Sequence, residues 1–288
     1  MEDITNIFFM CIVNALMFAM FYVLVSLGLT LVYSILDIVN FAHGEFYMFG
    51  GFTAYVLFSK LHVNYFLTLA AAFLVVGAFG VLIEKLIFKR FRGMILQSFI
   101  VSLGLIWIFR ELARYIFGHW EKEIPVVFKG IITVGKISFS VERLVITIIG
   151  FLLITGLFLF ITKTKHGRAM RALAQNPDAA ALQGVDINFI SALAFGIGCG
   201  LASMGGVLVG SYLFVSPTMG AHVIMKAFII IILGGLGSIP GCLLGSLTLG
   251  LVDSFGCAFF KVPLVEFITY IVIFVLLVVR PRGLMGHE

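Results

Sequence analysis

The sequence predicts an all-α polytopic membrane protein with about eight to ten transmembrane or broken helices. Three observations predict it. Of the 288 residues, 61% are hydrophobic and only 11% charged, where a soluble domain carries roughly 25% charged residues. The mean hydropathy is +1.17, and the apolar residues fall in continuous runs, not in the ~10-residue alternating segments of a membrane β-barrel. The net charge of +5 comes from short basic clusters between apolar runs, where such residues set orientation, so nucleic acid is not an expected partner.

Six runs are long enough to cross a hydrocarbon core, for which roughly 17 to 25 residues are needed. They are Ile7 to Tyr33, Tyr65 to Ile83, Ile95 to Phe117, Leu144 to Ile161, Phe189 to Val215 and Val262 to Val279. Met1-Glu2-Asp3 lacks the positive region of a secretory signal, so the first run is expected to stay as a membrane helix. Phe41 to Ser59 and Val223 to Phe260 are apolar but interrupted by glycine and polar residues, giving a pseudo-repeat of one interrupted segment in each half. Such pairs point to a solute site near the membrane midplane.

Basic residues cluster at Lys85, Lys89, Arg90 and Arg92, at Lys163, Lys165, Arg168 and Arg171, and at Arg280 and Arg282. Placing all three clusters in the cytoplasm puts the N-terminus outside and the C-terminus inside, with about nine crossings. Gly118 to Arg143 is then external, and the alternation over Ile131 to Phe139 predicts a hairpin there. Cys11, Cys199, Cys242 and Cys257 lie in apolar stretches without paired spacing. They read as small packing residues, with neither a disulfide framework nor a metal site indicated.

The first interrupted segment carries Asp37, Asn40, His43 and Glu45 beside Gly50-Gly51. Ionisable groups at membrane depth are costly unless they face a cavity or a partner. Two readings follow, a short turn at the interface or a functional cluster, and the cluster as a whole favours the second. Leu233-Gly234-Gly235-Leu236-Gly237-Ser238-Ile239-Pro240-Gly241 is a second glycine break. Gly241, Gly245 and Gly250 equally suit close helix packing, as does the small-residue stretch from Cys199 to Gly210. Asn40, His43, Glu45, Gly234, Gly235, Gly237 and Ser238 are the candidate pathway residues. Arg110, Glu111 and Arg114 read as an interfacial ion-pair cluster, while Asp253 and Glu266 stay ambiguous.

The stretch Gly167 to Gly184 is expected to be cytoplasmic, with Asp178 capping a short helix Ala179 to Gln183 and Gly184 closing it in a left-handed conformation. Its alanine surface suits insertion into a partner's groove. No nucleotide-binding loop, hydrolase elbow or metalloprotease motif occurs in the chain, so no catalytic residue, metal or cofactor is expected and any energy source is external.

Asn40-Phe41-Ala42-His43-Gly44-Glu45, Gly167-Arg168-Ala169-Met170-Arg171-Ala172 with Gln175-Asn176-Pro177-Asp178-Ala179-Ala180, the Leu233 to Gly241 motif, and Arg280-Pro281-Arg282-Gly283-Leu284 together resemble the shorter permease subunit of branched-chain amino-acid ABC transporters. The resemblance covers nearly the whole chain, 1–288, as one transmembrane permease domain. It implies a bacterial inner-membrane importer for branched-chain or other hydrophobic amino acids. The implied partners are a second related permease subunit, two cytoplasmic ATPase subunits, a periplasmic substrate-binding protein, a small-molecule solute and membrane lipid. Asp178-Ala179-Ala180 followed by Gly184 looks like the coupling motif of ABC importers, with Asp replacing Glu. Residues 163–188 then form the coupling loop, with Arg168, Arg171, Asp178, Ala179, Ala180 and Gly184 as its contacts. Within the class, the alternative is a urea or short-amide permease. Outside it stands an ion-coupled secondary transporter using Asp37, His43 and Glu45 as a proton relay.

Overall fold

The computed structural model describes residues 2–134, 137–279, 283 and 285. The C-terminal Arg280-Pro281-Arg282-Gly283-Leu284 motif therefore lies outside the described residues except for Gly283. Eleven α-helices are described: α1 (Glu2–Leu36), α2 (His43–Ala54, continued by a π-helical turn over Tyr55–Lys60), α3 (Tyr65–Leu86), α4 (Ile95–Phe117), α5 (Val141–Lys163), α6 (Lys165–Gln175), α7 (Pro177–Leu182), α8 (Ile187–Gly210), α9 (Met219–Gly234), α10 (Ile239–Phe259) and α11 (Val262–Val279). Six of them, α1, α3, α4, α5, α8 and α10, are long and apolar enough to cross a membrane. The protein is an all-α, multi-pass membrane protein. The expected hairpin is present as β1 (Ile131–Val134) and β2 (Ile137–Ser140), paired antiparallel with Ile131 opposite Ser140.

Helix α8 is the core of the bundle, with 83% of its spanning window buried, and α1, α2 and α3 pack around it. Small residues make this possible. With lipid tails as apolar as any side chain, helix association depends on close van der Waals packing, which Gly, Ala and Ser permit. A Cβ on Gly198 would lie 2.7 Å from the Gly28 carbonyl oxygen, and one on Gly77 would lie 3.0 Å from that of Gly196. Tyr47 of α2 passes so near Gly206 that any side chain there would overlap its backbone.

Backbone and side-chain bonds define the two ends of the bundle. At one end the Gly93 amide donates to Leu36 O (3.2 Å), Arg92 Nη1 to Asn188 Oδ1 (3.0 Å), Ser34 Oγ to Gly237 O (3.3 Å) and the Met285 amide to Gly234 O (3.1 Å). At the opposite end Arg143 Nη1 reaches Asn14 Oδ1 (2.5 Å) and Nη2 reaches Tyr212 Oη (3.2 Å), while Lys122 and Val215 form a backbone bridge.

Several expectations need correction. Gly50 and Gly51 do not break a helix but sit inside α2, where Gly50 abuts the Ser203 backbone; the interruption lies upstream, at 37–42. The span expected over Phe189 to Val215 ends at Gly210, and 211–218 return without helix. Val223 to Phe260 falls into two helices joined by a turn over Gly235 to Ser238. Pro240 and Gly241 lie in the first turn of α10, where proline lacks only a donor that is unpaired anyway. Cys11, Cys199 and Cys242 are buried, but Cys257 is exposed.

Gly206→Leu should prevent α2 from seating on α8. The atoms in the way are the Tyr47 carbonyl and the Gly51 amide, which cannot swing aside as a side chain would. A loss of about 3 kcal/mol or failure to fold is expected, measured as the thermal unfolding of detergent-solubilised protein.

Candidate functional site

At Leu36 the first helix ends, and Asp37 adopts φ 50°, a left-handed position tolerated by Asp and typical of a helix terminus. The chain then runs back into the bundle in non-helical form. Asp37 is exposed, and so lies apart from the cluster in which the sequence placed it, whereas Asn40 is buried. Non-helical backbone at membrane depth needs hydrogen-bond partners from protein. Two serines one turn apart on α4 provide them: the Val39 amide donates to Ser98 Oγ (3.2 Å) and the Phe41 amide to Ser102 Oγ (3.0 Å).

Helix α2 therefore begins inside the bundle, with His43 facing Gly28 eight residues before the end of α1, about 12 Å in at 1.5 Å per residue. The second short helix, α9, also begins inside. A Cβ on Gly220 would lie 2.5 Å from the Gly44 carbonyl oxygen, so the first turns of the two helices touch. Neither start has a side-chain cap, the N-cap residues being Ala42 and Thr218. The positive ends of two helix dipoles thus meet at one place, with the amides of His43, Glu45, Met219 and Ala221 taken by backbone oxygens of the preceding turn.

Buried polar groups surround this meeting point. Asn40 and His43 are fully buried, and neither amide atom of Asn40 nor either ring nitrogen of His43 has a hydrogen-bond partner among the described residues. Glu45 is buried in the first turn of α2 and accepts from Arg110 Nη2 of α4 at 3.0 Å. Its second oxygen and Arg110 Nε are buried without partners among the described residues. Arg110 is thus corrected from an interfacial cluster with Glu111 and Arg114 to a partner of Glu45. Only Glu111 and Arg114 pair with each other.

Not all of the candidate residues come together. Gly234, Gly235, Gly237 and Ser238 form the α9–α10 turn, fourteen or more residues along α9 from Gly220, roughly 21 Å by helical rise. Gly235 and Gly237 have φ of 100° and 82°, which glycine adopts without strain, and Ser238 Oγ caps α10 by accepting from the Gly241 amide (3.1 Å). Asp253 loses its ambiguity. It accepts from Lys226 Nζ of α9 (2.5 Å) and from the Tyr22 hydroxyl of α1, and Lys226 also reaches Tyr22 Oη (2.9 Å). Three helices are clamped by one part-buried charge pair.

The third group lies at the bundle end that holds Leu36 and Arg92. Thr164 caps α6 through the Gly167 amide (2.9 Å), and Gly167, Met170 and Leu173 turn inward while Arg168 and Arg171 face out. The cap of α7 is Asn176, whose Oδ1 accepts from the Ala179 amide (3.0 Å). Asp178 is not the cap; Pro177 at the first helical position moves the start two residues earlier than the alanines suggest. Gly184 has φ 81°. Asp178, Ala179 and Gly184 are exposed, Ala180 is buried in its own chain, and Leu182 is 88% exposed.

Sequence reasoning missed Ser98, Ser102, Arg110 as the partner of Glu45, Lys226 and Leu182. An i, i+4 serine pair in an apolar run and a lone lysine at membrane depth were the available signals.

The family described as branched-chain amino acid transport system, permease component, matches residues 11–279. The chain belongs to this family. It is 33% identical, over 96% of its length and 95% of the relative's, to the high-affinity branched-chain amino acid transport system permease protein BraD of Pseudomonas aeruginosa. It is 31% identical, over 92% and 91%, to the corresponding LivH protein of Escherichia coli. It is 28% identical, over 97% and 93%, to a probable branched-chain amino acid transport permease protein LivH of Methanocaldococcus jannaschii. No solved structure matches. The family is a transport permease and not an enzyme class.

Replacing Ser98 and Ser102 together by alanine strands the amides of Val39 and Phe41. At about 1 to 3 kcal/mol for each unpaired buried group, the double variant should unfold at lower temperature in detergent, with each single variant showing a smaller drop.

Proposed function

We propose that this permease is one half of the translocation pathway of an ATP-driven importer for branched-chain or other hydrophobic amino acids. One observation carries the reading: in a chain of this family, two uncapped helix starts meet at Gly44 and Gly220 beside Asn40, His43 and Glu45, buried polar residues with unmet hydrogen-bonding capacity. Interrupted helices at the midplane are where transporters expose backbone donors to a solute. The pathway is read as running past Asn40, His43 and Glu45, with Gly234, Gly235, Gly237 and Ser238 at its inner end. Residues 1–288 act as a single permease domain that does no covalent chemistry.

The partners in this reading are a second related permease subunit, two ATPase subunits and an external substrate-binding protein, as befits a component of a transport system. The orientation is read from charge. Lys85, Lys89, Arg92, Lys163, Lys165, Arg168 and Arg171 belong to the bundle end that carries α6, α7 and the α9–α10 turn, and the positive-inside rule makes that end cytoplasmic. Met285, bonded to Gly234, belongs to the same end, and in this reading the C-terminus is inside and the N-terminus outside in an inner membrane.

Within the coupling loop 163–188, Arg168, Arg171, Asp178, Ala179 and Gly184 are available to an ATPase subunit, and Ala180 supports α7 from beneath. Leu182, an almost fully exposed leucine on a short helix, supplies the apolar contact such docking needs.

Reconstitution with partner subunits tests this reading. Asn40→Ala and His43→Ala should lower leucine uptake several-fold without lowering assembly. Uptake at the wild-type rate in both would remove the pathway assignment. Leu182→Asp should leave the membrane helices folded but weaken ATPase association and uncouple hydrolysis from uptake. A cysteine at Ala179 that crosslinks to the ATPase supports the docking role, and one labelled from outside intact cells refutes the orientation.

A further inference from the structure

We propose that the Glu45–Arg110 pair is a transit site for a zwitterion, at which Arg110 takes the substrate's carboxylate and Glu45 its ammonium group. The proposal rests on the reading of this chain as an amino-acid permease and names the chemistry by which it would hold its substrate.

Two opposite charges held 3.0 Å apart match the spacing of the ammonium and carboxylate groups carried on one carbon of an α-amino acid. Both protein groups have capacity to spare: the second Glu45 oxygen and Arg110 Nε lack partners among the described residues. The second oxygen of Glu84 and Nε of Arg143 are unpartnered as well, so what singles this pair out is its place in the first turn of α2, where the start of α9 meets it. Asn40, fully buried and unpartnered, offers one acceptor and two donors nearby in the chain. The adjoining starts of α2 and α9 favour a carboxylate by their dipoles.

Apolar rings flank the pair. Phe49, one turn beyond Glu45 on α2, meets Phe109, the residue before Arg110 on α4, edge-on with 5.4 Å between ring centroids. An aliphatic side chain that parted these rings would replace one apolar contact by another at little cost.

The exchange is electrostatically economical. As a zwitterion enters, Arg110 trades the Glu45 carboxylate for the substrate's, and Glu45 trades the guanidinium for an ammonium. The site holds two positive and two negative charges when occupied and one of each when empty. No net charge is left in the hydrocarbon at either stage, which is where the large penalties arise. Arg110 is the route of access: its side chain is 15% exposed and stands beside the exposed Trp107, with its guanidinium carbon 5.9 Å from the indole ring centre.

The test uses the complete importer in proteoliposomes, with radiolabelled leucine and a photoreactive diazirine analogue of leucine. Arg110→Gln and Glu45→Gln should each lower leucine uptake by about tenfold, roughly 1.4 kcal/mol, while ATP hydrolysis stimulated by the loaded binding protein persists. The charge-exchanged double variant, Glu45→Arg with Arg110→Glu, restores the pair but reverses its direction, so uptake should stay low. Restoration of uptake to the wild-type rate would show a purely structural ion pair and overturn the proposal. Should the variants fail to assemble, the wild-type protein decides alone: the photoreactive analogue should label peptides containing Phe49 or Phe109, and labelling elsewhere during active uptake overturns it. A wild-type importer that takes up no zwitterion defeats the transport reading itself, an outcome distinct from restored uptake in the exchanged variant.

Discussion

Two hydrogen bonds from the amides of Val39 and Phe41 to Ser98 and Ser102 govern the rest of the arrangement. A chain inside lipid can leave the helix only where protein replaces water as hydrogen-bond partner, and α4 does so here with one serine per turn. This fixes α4 beside the unwound segment and starts α2 within the bundle instead of at its edge. Gly44 can then meet Gly220, and Tyr47 can slide against Gly206 of α8. Without the serines the same sequence would have reason to extend α2 downward to the interface, and the buried cluster would be lost.

The charged residues fall into two kinds. Glu84 is held by Arg92, which also reaches Asn188; Lys226, Asp253 and Tyr22 close a triangle across α9, α10 and α1; Arg143 ties α5 to Asn14 and Tyr212. Each joins elements far apart in sequence and fixes how they sit. Glu84 Oε2 and Arg143 Nε each keep one unmet position, whereas around Asn40, His43 and Glu45 several unmet acceptors and donors gather at one place. Unpaired buried polar groups are rare and call for an explanation. The proposed pathway supplies one, since a group fully satisfied by its own protein has nothing to offer a solute.

The architecture was legible because hydrocarbon imposes long uniform runs: five of the six expected spans are among the six helices long and apolar enough to cross, the sixth being α10 from the interrupted segment and not Val262 to Val279. What was not legible is where the chain unwinds. Gly50-Gly51 and the Gly234 to Gly241 motif advertise breaks by composition; the first pair serves helix packing, while the second does break the chain, in a largely buried turn between α9 and α10. The remaining unwound segments, 37–42 and 211–218, are marked by no such excess of glycine, because their conformation is imposed by partners elsewhere, Ser98 and Ser102 in one case and Lys122 in the other. The same holds for charges. Arg110 lies one and four residues from Glu111 and Arg114, so local spacing suggests a local cluster, whereas its observed partner is 65 residues away. In α7 the error was smaller and instructive: Asn176-Pro177 starts the helix more strongly than Asp178, since asparagine caps and proline is preset for the first position.

The separation of Glu45 from Arg110 also bears on how the protein is made. At ~5 to 20 residues per second of synthesis, 65 residues take roughly 3 to 13 seconds, and throughout that time a carboxylate intended for the membrane interior exists without its counter-ion. Ser98 and Ser102 emerge over the same interval, so the unwound backbone before α2 also awaits its acceptors. Until α4 has been made, the α2 region lacks both the counter-ion and the acceptors on which its final position depends.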